Sequence, residues 1–573
     1  MKKIVFPIWA IVLAIFIAIT SIYGGYHYFS PIPFWDQWDG YVGFYKQWQE
    51  TPFAALWAQH NEHRIVFSRV LFLLDIVLFG GMNAFTVIMN YVLLLAIGIV
   101  IWREYRNAYP VNKNISSQML TAGLCAGFLF SWRQHENLTW GFQNQFISVH
   151  LFSFIAFAIY SRDQYPLRRI AGSILFSVLA GISMGNGMAT FVVLVGQGIL
   201  LRRPWKEMIA IITAMAIFVA IYFYDYTKAV IYFDPSMLGS NVAWIKLKDF
   251  FIFFSNPVYP FVRFLGSDIS LSLCAVIGLC YFFIAFRIIM LIFVRHQVTA
   301  YRSFLSAIIG MVIVSAAAAA NWRWMQGAEA TTVGRYSTPV LLGYIALALL
   351  ALDIAESKWV RFTAQLVPLI VLTIFAISQF QVFSNPSRLY EWRLAALGQK
   401  IGLDHPAYDA LIYPAANHDA LIQRYQFITA ENIGLWRRGW LHDAGVVKFD
   451  PERVDPKLCN GFIDHQTTDD IGLVASGWAL AYRPFKQIFR RATLLIVLVD
   501  ANGQTAGYGV TGQYRPDVAA AYRNNNAPDD SGWTGFAKRD SVQPLHAYAY
   551  VGGNFCLLHG QSFFSSPGFR KRQ

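Results

Sequence analysis

Apolar residues run in long, nearly unbroken stretches separated by short polar loops from the N-terminus to about residue 380; beyond that the apolar runs shorten abruptly. Stretches long enough to cross, or nearly cross, a bilayer fall at about 4–22, 84–101, 117–131, 147–160, 170–184, 187–201, 207–224, 270–294, 303–320, 337–353 and 363–380. This pattern predicts roughly eleven membrane spans over residues 1–380. One further apolar segment, 65–81, carries Arg69 and Asp75. Counting it as a crossing would move the basic loop after Trp102 to the wrong side of the membrane, so it is expected to lie at the interface or to be re-entrant. After residue 380 come an expected helical region near 388–425 and then short β-like runs such as ATLLIVLVD, QTAGYGV and LHAYAYVGG. These are broken by turn-formers such as NNNAPDDSG, and the pattern predicts a soluble domain over 381–573 built as an antiparallel β-sandwich.

Composition sharpens this picture. The chain has 573 residues, of which 56% are hydrophobic, 16% aromatic and only 14% charged, which excludes an ordinary soluble enzyme of this size. The net charge of +13 comes from small basic clusters in the loops WREYRNAYPVNK, SRDQYPLRR, RRPWKE, RHQVTAYR and ESKWVR. Such loops face the cytoplasm, so membrane orientation accounts for the charge and no nucleic-acid partner is expected. The opening MKK with its apolar run reads as a first span with a cytoplasmic N-terminus, because no small-residue cleavage site follows it. An odd span number then places the C-terminal domain outside the cytoplasm. The five cysteines form no CxxC pair, against a zinc ribbon or thioredoxin-like site. Cys459 and Cys556 are the two in the C-terminal domain, and an oxidising compartment favours a disulfide between them.

Polar residues then recur at the loops predicted to share one face of the membrane. They include Asp36, Gln37, Trp38 and Asp39 in PIPFWDQWDG; His60, Asn61, Glu62, His63 and Arg64; Arg133, His135 and Glu136 in SWRQHENLTW; Asn186 between two glycines; and Arg335 with Tyr336 in GRYSTP. Ionisable groups at membrane depth mark a site, and aromatic rings mixed with carboxylates, amides and guanidiniums suit a sugar. Each motif also has a plainer reading. Trp35, Trp38 and Trp322 serve equally as interfacial anchors, and Asp36 and Asp39 as helix caps. Spaced by three, the two aspartates can face one way on a helical turn to hold a divalent cation such as Mg²⁺ or Mn²⁺, or one can act as general base. His60 and His63 lie three apart with Glu62 beside the second, which is the wrong spacing for a zinc-protease helix. Arg335 is either a phosphate ligand or a snorkelling anchor.

One N-terminal span, an acidic first outer loop, many further spans and a soluble C-terminal domain together resemble the C-type (GT-C) membrane glycosyltransferases. GRYSTP looks like the lipid-phosphate end of such enzymes. GFIDH, SGWAL, LLIVLVDANGQTAGYG, YRPDVAAAY and SGWTGF are similar to the β-sandwich of bacterial cell-surface polysaccharide and O-antigen glycosyltransferases. The chain lacks a clean DxD and the WWDYG-type block of oligosaccharyltransferases. The resemblance implies an inverting transferase of the bacterial inner membrane, with its C-terminal domain in the periplasm. It would take a hexosyl or pentosyl group from a polyprenyl-phosphate carrier and pass it to a glycan, a lipid-linked glycan or a protein. By resemblance Asp36, then Asp39, is the catalytic carboxylate, assisted by Glu62 or Glu136. Trp38, His60, His63, Arg64, Arg133, His135, Asn186, Arg335 and Tyr336 would bind substrate. Trp478, Tyr514 and Trp533 are candidates for sugar contacts or for core packing. A transporter or flippase, or a structural subunit of a polysaccharide assembly complex, is the competing class; the absence of an internal repeat argues against a transporter.

Overall fold

A computed structural model of the chain describes residues 4–109, 114–162, 165–227, 241–404, 406–468, 472–483, 486–489 and 492–560. Parts of the basic loops at 102–113 and 161–169 lie outside the described residues. Among those described, eight helical segments are long and apolar enough to cross a membrane: Val5–His27, Ala84–Ala108, Gly141–Tyr160, Trp205–Phe223, Ser267–Val294, Ala300–Gln326, Gly334–Ile354 and Lys358–Phe383. The chain is a multi-pass membrane protein. The other three expected runs do form helices, Ile115–Leu129, Pro166–Gly181 and Ala189–Leu200, but these have 15, 16 and 12 residues. At 1.5 Å per residue they reach about 18–24 Å, short of the ~30 Å hydrocarbon layer. The last of these is shorter than its apolar run because Gly185–Met188 forms a 3₁₀ turn at the start of that run.

The chain divides into two compact units. One comprises Met1–Phe29, Gln47–Leu73 and Ala84–Ser384; the other comprises Ser30–Lys46, Leu74–Asn83 and Asn385–Gln573. PIPFWDQWDG therefore belongs with the C-terminal region. The helix Val66–Phe79, at 14 residues, is too short to span, and the division between units falls within it.

In the first unit, buried side chains satisfy one another where water is scarce. Gln379 is fully buried; its Oε1 accepts from the Trp132 backbone N–H (2.8 Å), and its Nε2 donates to Thr20 Oγ1 (2.8 Å) and Ser21 Oγ (3.0 Å). Asn256 donates to the carbonyls of Thr331 and Val333 and accepts from Ser337. Arg69, the anomalous cation of the segment 65–81, donates to the carbonyls of Leu56 and Ala58. Its charge is thus covered by backbone, as a buried guanidinium requires.

In the second unit, Trp38–Gly43 forms a π-helical turn, and Asp75 accounts for the other anomalous charge of 65–81. The fully buried Asp75 accepts from Tyr41 Oη (2.6 Å) and from the Asn83 backbone N–H (2.9 Å), both on Oδ2. Burial first, and then the Asp75 carboxylate, hold the Tyr41 phenol well above its ordinary range, so it remains a donor. Helices Ser387–Ile401, Pro406–Ile412 and His418–Ala430 occupy the expected helical region.

Eight strands follow: β1 Cys459–Thr468, β2 Leu473–Arg483, β3 Lys486–Phe489, β4 Leu495–Val499, β5 Thr505–Gln513, β6 Gly532–Ala537, β7 His546–Val551 and β8 Asn554–Gly560. Their order is β1-β8-β7-β4-β5-β6-β2-β3, and β1 also pairs with β2. This closes a seven-strand barrel with β3 appended, in place of the expected sandwich. Closure depends on β1, which pairs antiparallel with β2 along its length, carries an irregularity between Ile463 and His465, and meets β8 in parallel at Phe462 and Ile463. Such a break in register bends a strand enough to turn a sheet corner. Gly477 is required there, since a Cβ would lie 1.9 Å from the Phe462 carbonyl oxygen.

Trp533, fully buried, packs the barrel interior with Cys459, Cys556 and the strand alanines. Tyr508 and Phe536 join Tyr390, Leu394 and Leu397 of helix Ser387–Ile401 in a second core. Cys459 and Cys556 form the expected disulfide, with Cα atoms 6.0 Å apart and 97 residues between them.

Replacing both cysteines by serine should lower barrel stability by about 4.7 kcal/mol, the chain-entropy value for a loop of this length. Limited proteolysis in urea should then cut the variant within 459–556 at lower denaturant than wild type; coincident midpoints would refute a stabilising role. Tyr41→Phe removes a donor to a buried carboxylate and should cost about 1–3 kcal/mol. Hydrogen exchange of the Leu74–Asn83 amides measures this directly, and unchanged protection would refute it.

Candidate functional site

Two stretches singled out by sequence meet in the first unit. After helix Ile115–Leu129, residues 131–143 fold as short 3₁₀ and α-helical turns leading into helix Asn144–Tyr160, while Gly334–Tyr336 is a 3₁₀ turn leading into helix Ser337–Ile354. Asn137, fully buried, donates to the Arg335 carbonyl (2.9 Å) and to Thr338 Oγ1 (2.7 Å), and Thr338 donates to Gln134 Oε1. Glu136 Oε2 accepts from the Arg335 backbone N–H at 3.0 Å, and Oε1 accepts from the Arg335 guanidinium at 3.1 Å. GRYSTP is thus clamped at its backbone as well as its side chains, fixing Arg335 beside Glu136 with about a quarter and a fifth of their side chains exposed (25% and 21%).

Tyr336 connects this clamp to a second one. Its hydroxyl accepts from Arg323 Nε (2.9 Å), and Arg323 Nη2 donates to Glu62 Oε1 (3.1 Å). Glu62 sits at the tip of a tight turn in which the His60 and His63 backbones exchange two hydrogen bonds of 2.8 Å, with Asn61 in the left-handed region (φ 48°). His63 Nε2 lies 3.8 Å from Glu62 Oε1. Gly185 closes over this turn; a Cβ there would lie 2.9 Å from His63 Nδ1, and neighbouring Asn186 is half-buried. Burial alone would raise the Glu62 carboxyl, but His63 and Arg323 outweigh it and hold the group below the usual carboxylate range. Arg64 differs from its neighbours: buried, it gives its side-chain donors to the carbonyls of Trp57, Tyr222 and Tyr224, and stacks on Trp57 (4.9 Å). It anchors the turn.

Arg133 has a different electrostatic setting. It is 6% exposed, donates to Gln381 Oε1 (3.3 Å) and packs over Phe261 (5.4 Å), two residues before Arg263. Burial, with Arg263 adding to it, lowers the guanidinium to about 10, so it stays charged at neutral pH. No carboxylate pairs with Arg133 or Arg263 among the described residues, and Arg133 Nε is buried without a hydrogen-bond partner. His135 is exposed beside the Trp132 ring.

The second unit contains the other predicted acids. Both Asp39 oxygens accept from Tyr413 Oη (3.0 Å each), and Arg424 forms an ion pair with Oδ1. Burial first, then the Asp39 charge, push the Tyr413 phenol up to about 12; Asp36, half-buried nearby, adds to this. Trp38, expected to stack on a sugar, is instead fully buried beside Tyr425 and Trp436, because the π-helical turn points it into the core. Trp533 likewise belongs to the barrel core and Trp478 packs on Tyr522, while Tyr514 is exposed. With its carboxylate committed to an arginine and a phenol, Asp39 does not fit a divalent-cation site.

The predicted residues thus separate. Glu62, His60, His63, Arg133, His135, Glu136, Asn186, Arg335 and Tyr336 lie in the first unit, and Asp36, Trp38 and Asp39 in the second. Arg263 was missed, because it stood alone without a motif. Arg323, in the motif WRW that groups with GRYSTP in the sequence, had no assigned role there. The fold defines a multi-pass membrane protein carrying a seven-strand barrel. No family model, no curated protein and no solved structure matches the chain.

The Glu62 carboxyl is depressed in the folded protein, so its stabilising contribution is present above its unfolded pKa of about 4.3 and lost as pH falls through the folded value. Wild type should therefore lose stability relative to Glu62→Gln as pH drops from 6 toward 3. Thermal unfolding in detergent checks this; a wild-type-to-variant difference constant across that range would refute the ion pair.

Proposed function

We propose that the protein is an inverting glycosyltransferase that moves a sugar from a polyprenyl-phosphate carrier to a cell-envelope acceptor on the periplasmic side of a bacterial inner membrane. In this reading the shorter helices complete about eleven crossings, tilted or in locally thinned bilayer. The observation carrying the proposal is the positive charge at Arg133 and Arg263, uncompensated by any described carboxylate, close in the fold to Gln381 and Phe261 at helix ends. A buried guanidinium with a spare donor favours an anionic ligand, and guanidinium geometry suits phosphate. Arg323 and Arg335, each neutralised by a glutamate, support it differently: their carboxylates orient them and can accept from sugar hydroxyls.

The reaction is a displacement at the anomeric carbon. The acceptor oxygen forms the new glycosidic bond as the bond from the anomeric carbon to the phosphate oxygen breaks. The bonding pair leaves with the lipid phosphate, whose charge the arginines stabilise, and the acceptor proton passes to a carboxylate. The leaving group is already an anion, so no acid is required. The resemblance assigns the base to Asp36, with Asp39, whose carboxylate already meets Arg424 and Tyr413, second. No step is routed through a metal.

Lipids co-purifying with the detergent-solubilised protein should include a polyprenyl phosphate or its glycosylated form, identified by mass spectrometry. This lipid should be depleted in Arg263→Ala and in Arg335→Ala. Ordinary phospholipids alone in all three samples would overturn the donor assignment, and sugar transfer undiminished by Asp36→Asn would overturn Asp36 as base.

A further inference from the structure

In the second unit, the C-terminal end of helix Val66–Phe79 leaves large apolar side chains uncovered. Leu74, Val77, Leu78 and Phe79 are 36%, 61%, 66% and 50% exposed. Leu74, Val77 and Leu78 share one face of the helix, since residues three and four apart are neighbours, and Phe79 stands at the helix end. The helix ends at Gly80 and Gly81, both with positive φ (75° and 74°), and the Gly80 carbonyl accepts from the Gly434 backbone N–H at 2.8 Å. That bond draws the Gly434 turn, and with it Arg437 and Arg438, against the helix end. Leu78, Phe79, Gly80, Gly434, Arg437 and Arg438 line a cavity of about 380 Å³. Both arginines are exposed, and neither has a side-chain hydrogen bond or ion pair among the described residues.

Apolar side chains next to two unpaired guanidiniums match one partner in particular, a lipid whose acyl chains meet these side chains while its phosphate meets the arginines. A soluble anion would leave Leu74, Val77, Leu78 and Phe79 in water, and an apolar protein partner would leave two charges unpaired on burial. We propose that this cavity seats the headgroup of an anionic phospholipid, holding the second unit to the bilayer surface. The proposal is independent of sugar transfer, since none of these residues belongs to the candidate site.

The test uses the full-length protein, exchanged into neutral detergent and titrated with phosphatidylglycerol while bound lipid is counted by native mass spectrometry. Arg437→Ala/Arg438→Ala should weaken one phosphatidylglycerol site about 30-fold, from roughly 1 kcal/mol per arginine near a lipid surface. The double lysine variant should retain most of that affinity, because the charge is kept. Phosphatidylcholine binding should be the same in wild type and the alanine variant. Equal phosphatidylglycerol affinity in wild type and the alanine variant would overturn the proposal. So would displacement of the lipid by millimolar inorganic phosphate, which would assign the cavity to a soluble anion. A nitroxide on Leu78→Cys, in a Cys280→Ser background, gives a second reading in nanodiscs: contact with oxygen dissolved in the bilayer supports the seat, and free access to a water-soluble nickel chelate overturns it.

Discussion

Hydrocarbon supplies no water to satisfy a polar group, so every polar side chain inside the helical unit needs a protein partner. The fold hangs on a few residues that meet this demand several times over. Gln379 joins the helices Val5–His27 and Lys358–Ser378 to the turn at Trp132, and Asn256 holds the segment 331–337. Asn137 holds Arg335 and Thr338, while Asn90 reaches back to the carbonyls of Asn137 and Trp140. Each of these amides makes more than one hydrogen bond across a contact between segments, and together they tie the loops to the helices. Glu136 and Arg335 of the candidate site stand on those loops.

Electrostatics then sorts groups that look alike in sequence. Arg64 and Arg69 are spent on backbone carbonyls; Arg323 and Arg335 are each matched by one glutamate; Arg133 and Arg263 form no ion pair with an acid among the described residues. The same logic separates the carboxylates. Asp75 is a buried acceptor for Tyr41 and Asn83, Asp39 is bound by Arg424 and Tyr413, and Glu62 is kept ionised by His63 and Arg323. An anionic ligand is drawn to positive charge left uncompensated, which is why the reading of function rests on Arg133 and Arg263 more than on the conspicuous acidic loop.

Much of the architecture was legible because it follows from local pattern. Apolar run length located the long helices among the described residues, the Gly- and Asn-rich turns located the strands of the C-terminal domain, and the two cysteines of that domain form the expected disulfide. Helices Ile115–Leu129 and Ala189–Leu200 are shorter than a straight crossing needs, because hydropathy reports apolarity and not where a turn interrupts the rise. The sandwich was over-read because alternating strands look the same in a sandwich and in a barrel; the distinction lies in whether β1 finds β2 as well as β8.

By itself, then, the order of residues determined a multi-pass membrane protein with a β-rich C-terminal domain, and it picked out HENLTW, GRYSTP and the turn at Glu62 as unusual. These depend only on neighbours in the chain and on the cost of placing charge near lipid. Tertiary structure decided the pairings: Glu136 with Arg335, Glu62 with Arg323, Asp39 with Arg424, and Trp38 turned into a core. Partners separated by 199, 261 and 385 positions along the chain cannot be matched from local pattern, because which guanidinium meets which carboxylate is set by how helices pack and by the few buried amides that fix their loops.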